Sequence, residues 1–274
     1  MSATLTYVYC LVRAARPPSL GRAPAPLPGS RPLRLLEVSG LGSARVRHWL
    51  VVSSVPGRLY DEAALERGLQ HLEWVGRRAL AHEAVVEYFL RAPAVLPMQL
   101  FALFTSDDRA IEHIAADRRR LRRILSRIEG RVEWGIRVSW KGGQTPVTTR
   151  LKGLSRPVRG SDPGTPHHRG LTPGMAYLAR KRDALDAART RLRRASADAE
   201  RVYRALGREA SAARRRTEVE QATPGSRVVL DAAFLVPAGR ARAFRAAVRR
   251  HARPLERLDL AVSLTGPWPA YNFI

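Results

Sequence analysis

The sequence predicts an α+β protein built from two domains and a linker. Strand-like and helix-like patterns alternate over residues 1–140, which is typical of helices packed on a sheet. Residues 141–173 are rich in glycine and proline and nearly free of aromatic residues, so they are predicted to form a linker. A seven-residue repeat begins at Leu178 and introduces a second α+β domain over residues 174–274.

The first domain opens with two predicted strands. Residues 4–12 (TLTYVYCLV) are rich in β-forming side chains, and a similar pattern, WLVVSSV, occupies residues 49–55. The proline-rich stretch between them is predicted to be a loop, because proline lacks the amide hydrogen that helices and sheets use. Pro56-Gly57 ends the second strand as a turn.

An amphipathic helix is predicted from Tyr60 to Leu90, with a break near Gly76 as an open alternative. Apolar residues recur along it at steps of mostly three and four, and these positions are assigned to one buried face. They are Leu65, Leu69, Leu72, Ala79, Leu80, Val86 and Leu90.

The rest of the first domain reads as strand, helix and strand. Residues 100–104 form a short apolar strand, and residues 105–128 form a helix that begins with hydroxyl and acidic residues and carries its arginines on the solvated face. Residues 132–140 (VEWGIRVSW) alternate like a strand. The complete order of strand, strand, helix, strand, helix, strand predicts a ferredoxin-like domain over residues 1–140.

The second domain is predicted to begin with a long, coiled-coil-like helix over about residues 175–220. Its heptad leucines, with alanine and valine between them, are candidate contacts with a partner or with the other domain. These leucines are Leu178, Leu185, Leu192 and Leu206. Because such a helix is too long for one small core to cover, it must project or fold back, and Gly207 is a candidate bend or hairpin turn.

Strand, helix and strand patterns follow at residues 227–236, 238–250 and 258–264, so the second domain is also α+β. The chain then closes with an extended tail, TGPWPAYNFI, over residues 265–274. Its prolines exclude a helix, while three aromatic residues carry much apolar area. We expect the tail to dock on the chain's own domains or on a partner through Trp268, Tyr271 and Phe273.

The formal net charge of +24 raises the question of nucleic-acid binding. However, 45 of the 48 basic residues are arginine, an excess that codon bias in a GC-rich genome also produces. The basic stretches at 118–127 and 189–194 lack the interleaved aromatic residues that stack on bases. A sequence-independent nucleic-acid-binding protein therefore stays the alternative to a protein-binding role, and steep weakening by salt would distinguish it.

The sequence predicts no catalytic residue, no cofactor site and no metal site. His82-Glu83 lacks the second histidine of a zinc-protease helix, because the position four residues later is Val86. His167-His168 has no further ligands nearby, and Cys10 is the single cysteine, as expected in a reducing cytosol. No signal peptide and no membrane span are predicted.

An ordered set of motifs across nearly the whole chain resembles the GvpL/GvpF family of gas vesicle accessory proteins. The most specific are EGRVEWGIRV at 129–138 and the terminal TGPWPAYNFI. The others are TYVYCLV at 6–12, HWLVVSSVP at 48–56, HEAVVE at 82–87, VLP at 95–97 with Phe104 seven residues after the proline, PGMAYLARKRD at 173–183 and DAAFLVP at 231–237. One departure is Leu100-Phe101, which stands where the commoner family run has a phenylalanine-glycine pair.

This resemblance implies a non-enzymatic accessory or assembly factor for gas vesicle formation. It implies binding to the small hydrophobic shell protein and to other gas vesicle accessory proteins, and a cytoplasmic, gas-vesicle-associated location. It also implies two domains, the first of them ferredoxin-like and the second with a coiled-coil element.

Overall fold

A computed structural model of the protein describes residues 4–41, 46–140, 173–216 and 227–274. These residues form helices and two antiparallel sheets, which confirms the predicted α+β class. The predicted linker lies outside the described residues except for Pro173, where a helix begins.

The strands are β1 (Thr4–Ala14), β2 (Arg34–Glu37), β3 (Arg47–Pro56), β4 (Ala94–Pro97), β5 (Leu103–Phe104), β6 (Arg131–Trp140), β7 (Ala212–Arg215), β8 (Val228–Pro237) and β9 (Leu260–Trp268). Strands β1–β5 form the first sheet and strands β6–β9 form the second. The helices are α1 (Gly57–Tyr60), α2 (Glu62–Leu69), α3 (Leu72–Tyr88), α4 (Asp107–Ala116), α5 (Arg118–Ile128), α6 (Pro173–Gly207) and α7 (Ala241–Glu256).

The first sheet has the strand order β2-β3-β1-β4, and β5 also pairs with β1. Its central strand β1 is covered on both faces. Tyr7 and Tyr9 pack with Val85 and Val86 of α3 on one face, while Val8 packs against α4 and α5 on the other. A register shift opposite β3 lies between Val8 and Cys10 and interrupts the simple alternation of side chains.

The second sheet has the strand order β7-β8-β6-β9. Helices α6 and α7 cover one face, where Leu206 and Phe244 pack against Phe234. The other face turns Ala233 and Leu235 toward the core that holds α4 and α5. Helix α5 therefore contributes to a shared core between the two sheets.

Strand β6 corrects the sequence-based assignment. Residues 132–140 were predicted to complete the first domain's sheet, but β6 pairs antiparallel with β8 and β9 at the centre of the second sheet. Its alternating pattern predicts a strand equally well in either position. Backbone hydrogen bonds to strands about a hundred residues further along the chain decide the sheet.

The long helix is shorter than predicted. Helix α6 ends at Gly207, and Ala212–Arg215 is strand β7, so the interpretation of a helix to about residue 220 is wrong. Ala213 keeps the seven-residue spacing but pairs with Phe234 of β8 in the sheet. Glycine is a poor helix former, which favours an end at this position.

The predicted helix from Tyr60 to Leu90 is interrupted at Asp61, between α1 and α2, and at Gln70 and His71, between α2 and α3, and it is continuous at Gly76. The Asp61 side chain accepts a hydrogen bond from the Ala64 amide and caps α2. The hydroxyl start predicted for the next helix is confirmed, because Ser106 accepts from the Arg109 amide at 3.2 Å.

Phe101 adopts the left-handed backbone conformation that favours glycine, with φ of 66°. A glycine would adopt this conformation with little strain. Here the phenylalanine ring lies 5.5 Å from the Trp74 ring, and the Phe101 amide donates to the Tyr7 hydroxyl. Aromatic packing and this hydrogen bond oppose the strain of the positive φ.

A buried polar group lies where α3 crosses β1. The Tyr7 hydroxyl and His82 Nδ1 are 2.7 Å apart, and the Tyr9 hydroxyl lies 3.0 Å from the Ser53 hydroxyl. Burial lowers the pKa of His82 to about 4, against an opposing effect of a backbone hydrogen bond at Met98. The imidazole is therefore neutral in the folded protein at neutral pH.

Replacing His82 with glutamine is expected to change how stability depends on pH. The unfolded chain protonates His82 near its ordinary pKa, whereas the folded chain does so only near 4, so acid selectively stabilises the unfolded wild type. The free-energy advantage of wild type over the variant should shrink by about 1.4 kcal/mol per pH unit between about pH 6 and 4.5. Urea unfolding across this range measures it. An advantage that stays constant would contradict the assignment.

Candidate interaction surfaces

The C-terminal tail folds back onto the core between the two sheets. Phe273 is 2% exposed and packs, together with Ala270, in the cluster that includes Leu125 and Leu235. Trp268, at the end of β9, is partly buried and lies opposite Glu133 of β6. Residues 271–273 are named the C-terminal clamp, because each of them contacts another part of the chain.

Asn272 fixes the clamp to the second sheet. Its backbone amide and its side-chain amide donate to the Glu133 carboxylate at 2.8 and 2.5 Å, and its carbonyl accepts from Arg214 at 2.7 Å. Burial raises the pKa of Glu133, and the two bonds from Asn272 partly offset that effect. The clamp therefore provides the donors that a buried carboxylate needs.

Tyr271 fixes the clamp to α3, the helix that packs on the first sheet. Its hydroxyl donates to the carboxylate of Glu83 on α3 at 2.9 Å. Burial raises the pKa of Glu83, and burial together with the nearby Glu83 charge raises the pKa of Tyr271. The clamp thus joins α3 to the second sheet. Asn272 is 139 residues from Glu133 along the chain, and Tyr271 is 188 residues from Glu83.

Gly266 allows the end of β9 to approach β6 closely. Its φ is 115°, and a Cβ at this position would lie 2.7 Å from the backbone oxygen of Glu133. Any larger residue would clash with the backbone. This glycine belongs to the motif TGPWPAYNFI, so the motif sets the path of the chain into the clamp.

Two arginines belong to a buried ion-pair cluster on the second sheet. The Asp231 side chain is 1% exposed and lies 2.7 Å from nitrogens of both Arg137 and Arg216. These three side chains come from neighbouring strand segments, and the two guanidiniums are about one-third exposed. Part of the arginine excess therefore neutralises a buried carboxylate.

The predicted heptad leucines have different surroundings along α6. Leu206 is fully buried against β8 and α7, and Leu192 is partly buried, whereas Leu178 and Leu185 are 63% and 50% exposed. The clamp and the buried part of α6 lie in separate cores on the two faces of the second sheet. The structure therefore does not bring the two sets of predicted contact residues together, and their role in binding partners stays a prediction.

A second exposed apolar surface was missed by sequence reasoning. Leu69, Leu72 and Leu80 were assigned to the buried face of a helix, but their side chains are 57%, 87% and 72% exposed. Gly76 lies one helical turn from both Leu72 and Leu80, with open space beside its Cα. We name Leu72, Gly76 and Leu80 the α3 apolar face, since Leu69 lies at the C-terminal end of α2. Their four-residue spacing is visible in the sequence, but it does not reveal whether another element covers them.

Within the described residues, no three histidine, cysteine, aspartate or glutamate side chains form a group that could hold a metal ion. Cys10 is fully buried, and burial raises the pKa of its thiol, which disfavours the reactive thiolate. No helix in the described part of the chain has the length and apolar character needed to span a membrane.

Comparison with known proteins identifies the family. The family model described as gas vesicle synthesis protein GvpL/GvpF matches residues 5–274. The chain belongs to the GvpL/GvpF family. It is 31% identical over 249 residues to gas vesicle protein L of Streptomyces sp. (strain CB03234), with 89% of this chain and 84% of the relative covered.

Solved structures of GvpF share the fold of this GvpL/GvpF chain. The crystal structure from Anabaena sp. PCC7120 matches with a TM-score of 0.62 at 13% identity, covering 99% of this chain and 96% of that one. The structure from Microcystis aeruginosa matches with a TM-score of 0.58 at 12% identity, covering 99% of each chain. Family membership supports a role in gas vesicle formation, and GvpL/GvpF is a gas vesicle accessory family, not a known enzyme family.

Truncating Phe273 to alanine is expected to lower the free energy of unfolding by about 3 kcal/mol, because it leaves a cavity in the core between the sheets. Ile274 is the matched control, since its side chain is 40% exposed and its truncation should change stability by less than about 0.5 kcal/mol. Urea unfolding measures both variants. Equal stability of the two variants would contradict a structural role for the clamp.

Proposed function

We propose that this GvpL/GvpF protein is a non-enzymatic assembly factor of cytoplasmic gas vesicles that binds the hydrophobic shell protein. The α3 apolar face is the observation that carries the proposal. Among the described residues, Leu72 and Leu80 are the two most exposed large apolar side chains, although Val85 and Val86 of the same helix are buried in the core. Two exposed leucines on one side of a helix support a protein-binding site there.

The chemistry of a shell subunit explains why such a factor is needed. An apolar subunit must be kept from water until it polymerises, and an apolar contact on an otherwise charged protein does this without forming a large apolar aggregate. The high net charge of this protein keeps the complex soluble. Contact with other gas vesicle accessory proteins belongs to the same proposal and uses the exposed part of α6.

We also propose that both units are ferredoxin-like and that α6 has a coiled-coil role. Both sheets have their strands in corresponding spatial order, and in the second sheet α6 and α7 connect the strands as βαββαβ. These features support a ferredoxin-like description of the units, although residues 15–33 of the first unit connect β1 to β2 without a helix. The heptad spacing along α6 supports a coiled-coil role for its exposed part.

Replacing Leu72 and Leu80 together with serine is expected to reduce gas vesicle yield severalfold in cells that lack the native gene. Both leucines are exposed, so the change should remove partner contact and leave stability within about 0.5 kcal/mol for each site. Buoyancy and electron microscopy measure the yield, and immunoblotting measures the level of the protein. Arg77→Ala, an exposed change on the same helix, is the control.

Two outcomes would contradict different parts of the proposal. Normal gas vesicles in cells lacking the whole gene would overturn the assembly role. Normal gas vesicles with the double serine variant, in cells where the gene is otherwise required, would overturn the assignment of the α3 apolar face. Pull-down of the shell protein by purified wild type, and its loss in the variant, would support direct binding.

A further inference from the structure

The exposed half of α6 continues a seam that is already packed within the protein. Ala195, Ala199, Val202 and Leu206 are buried against the second sheet and α7. Seven-residue steps back along the helix lead from Leu206 and Ala199 to Leu192, Leu185 and Leu178. From Tyr177 to Arg191, every residue of the helix is exposed. The row of apolar residues that packs in the core along the C-terminal half of α6 thus continues along the exposed N-terminal half.

The shape of this extension fits a second helix. The three leucines from Leu178 to Leu192 span about 21 Å along the axis, which is the length of two heptads. Seven-residue repeats drift by about 20° per heptad around a straight helix, so the seam follows the path of a supercoiled partner helix. Ala188 lies at the intermediate seam position between Leu185 and Leu192, where a small side chain allows close approach, and Lys181 occupies the corresponding position between Leu178 and Leu185.

The charges beside the seam determine which kind of helix fits. Residues 173–192 contain five basic and two acidic residues. By helical geometry, Arg182, Arg189 and Arg191 occupy the e and g positions that flank the leucines, while Asp183 and Asp186 lie on the outer side. Arg189 forms an ion pair with Asp186 at 3.5 Å, but the side that meets a partner is basic along its length.

We propose that residues 178–192 of α6 bind an amphipathic helix of a partner protein that carries acidic residues beside its apolar stripe. A second copy of this chain would bring basic flanks against basic flanks, on proteins that each carry a net charge of +24. The chain's own residues 141–172 contain six basic residues and one acidic residue, so they have the same sign of charge. Acidic flanks complement the seam, and neither of these alternatives provides them.

Synthetic helices test the proposal with the full-length protein. The probe is a fluorescent peptide of about three heptads with leucine at a and d and glutamate at e and g, whose like charges oppose pairing of the peptide with itself. One control peptide has the same composition in scrambled order, and another has lysine at e and g. Fluorescence anisotropy should detect binding of the glutamate heptad peptide only.

Variants of the protein then locate the site. Leu178→Ser with Leu185→Ser should weaken binding of the glutamate peptide by at least about tenfold, because it removes the exposed apolar contacts. Ala179→Ser with Ala187→Ser is the matched control, because both alanines are exposed on the opposite side of the helix. Arg182→Glu with Arg189→Glu should reverse the preference toward the lysine peptide. Circular dichroism and thermal melting verify that each variant is folded.

Five results would overturn the proposal. Equal binding of the scrambled peptide, or displacement of the probe by single-stranded DNA, would reveal a general surface for polyanions. Unchanged binding in the leucine variant would place the site elsewhere. Dimers of the wild type in sedimentation experiments that disappear in the leucine variant would make a second copy the occupant. Tighter binding after deletion of residues 141–172 would make that segment the occupant.

Discussion

The buried contact between Glu133 and the C-terminal clamp is the constraint on which the arrangement of the elements depends. A carboxylate that is 2% exposed requires hydrogen-bond donors, and Asn272 provides two of them. Those bonds hold Phe273 in the core between the sheets, while Tyr271 reaches Glu83 of α3. Hydrogen bonds to buried carboxylates and burial of an aromatic ring therefore involve the same three residues, 271–273. Together these contacts join α3 to the second sheet.

This arrangement leaves two apolar surfaces without cover among the described residues. The α3 apolar face and the exposed half of α6 belong to helices that also carry buried residues, Val85 and Val86 on α3 and Ala199 and Leu206 on α6. An anchored helix has little conformational freedom left to lose on binding, which favours contact with a partner. The tail contributes to the position of one of these surfaces, because Tyr271 binds Glu83 of α3.

The arginine content has more than one physical role. Arg137 and Arg216 neutralise the buried Asp231, and Arg214 donates to the clamp. Arg78, by contrast, lies 3.7 Å from the centre of the Trp74 ring, where its guanidinium packs on an aromatic face. These arginines act within the fold, whereas Arg182, Arg189 and Arg191 beside the α6 seam are exposed.

Local patterns in the sequence were sufficient for the α+β class, for most strands, for the Ser106 cap and for the family, because these depend on neighbouring residues and on ordered motifs. Tertiary structure alone decided that β6 belongs to the second sheet and that α6 ends at Gly207. It also decided that Leu72 and Leu80 are exposed and that Phe273 is buried. The physical reason is that periodicity identifies side chains on one face of an element, but hydrogen bonds and packing from distant residues decide what covers that face.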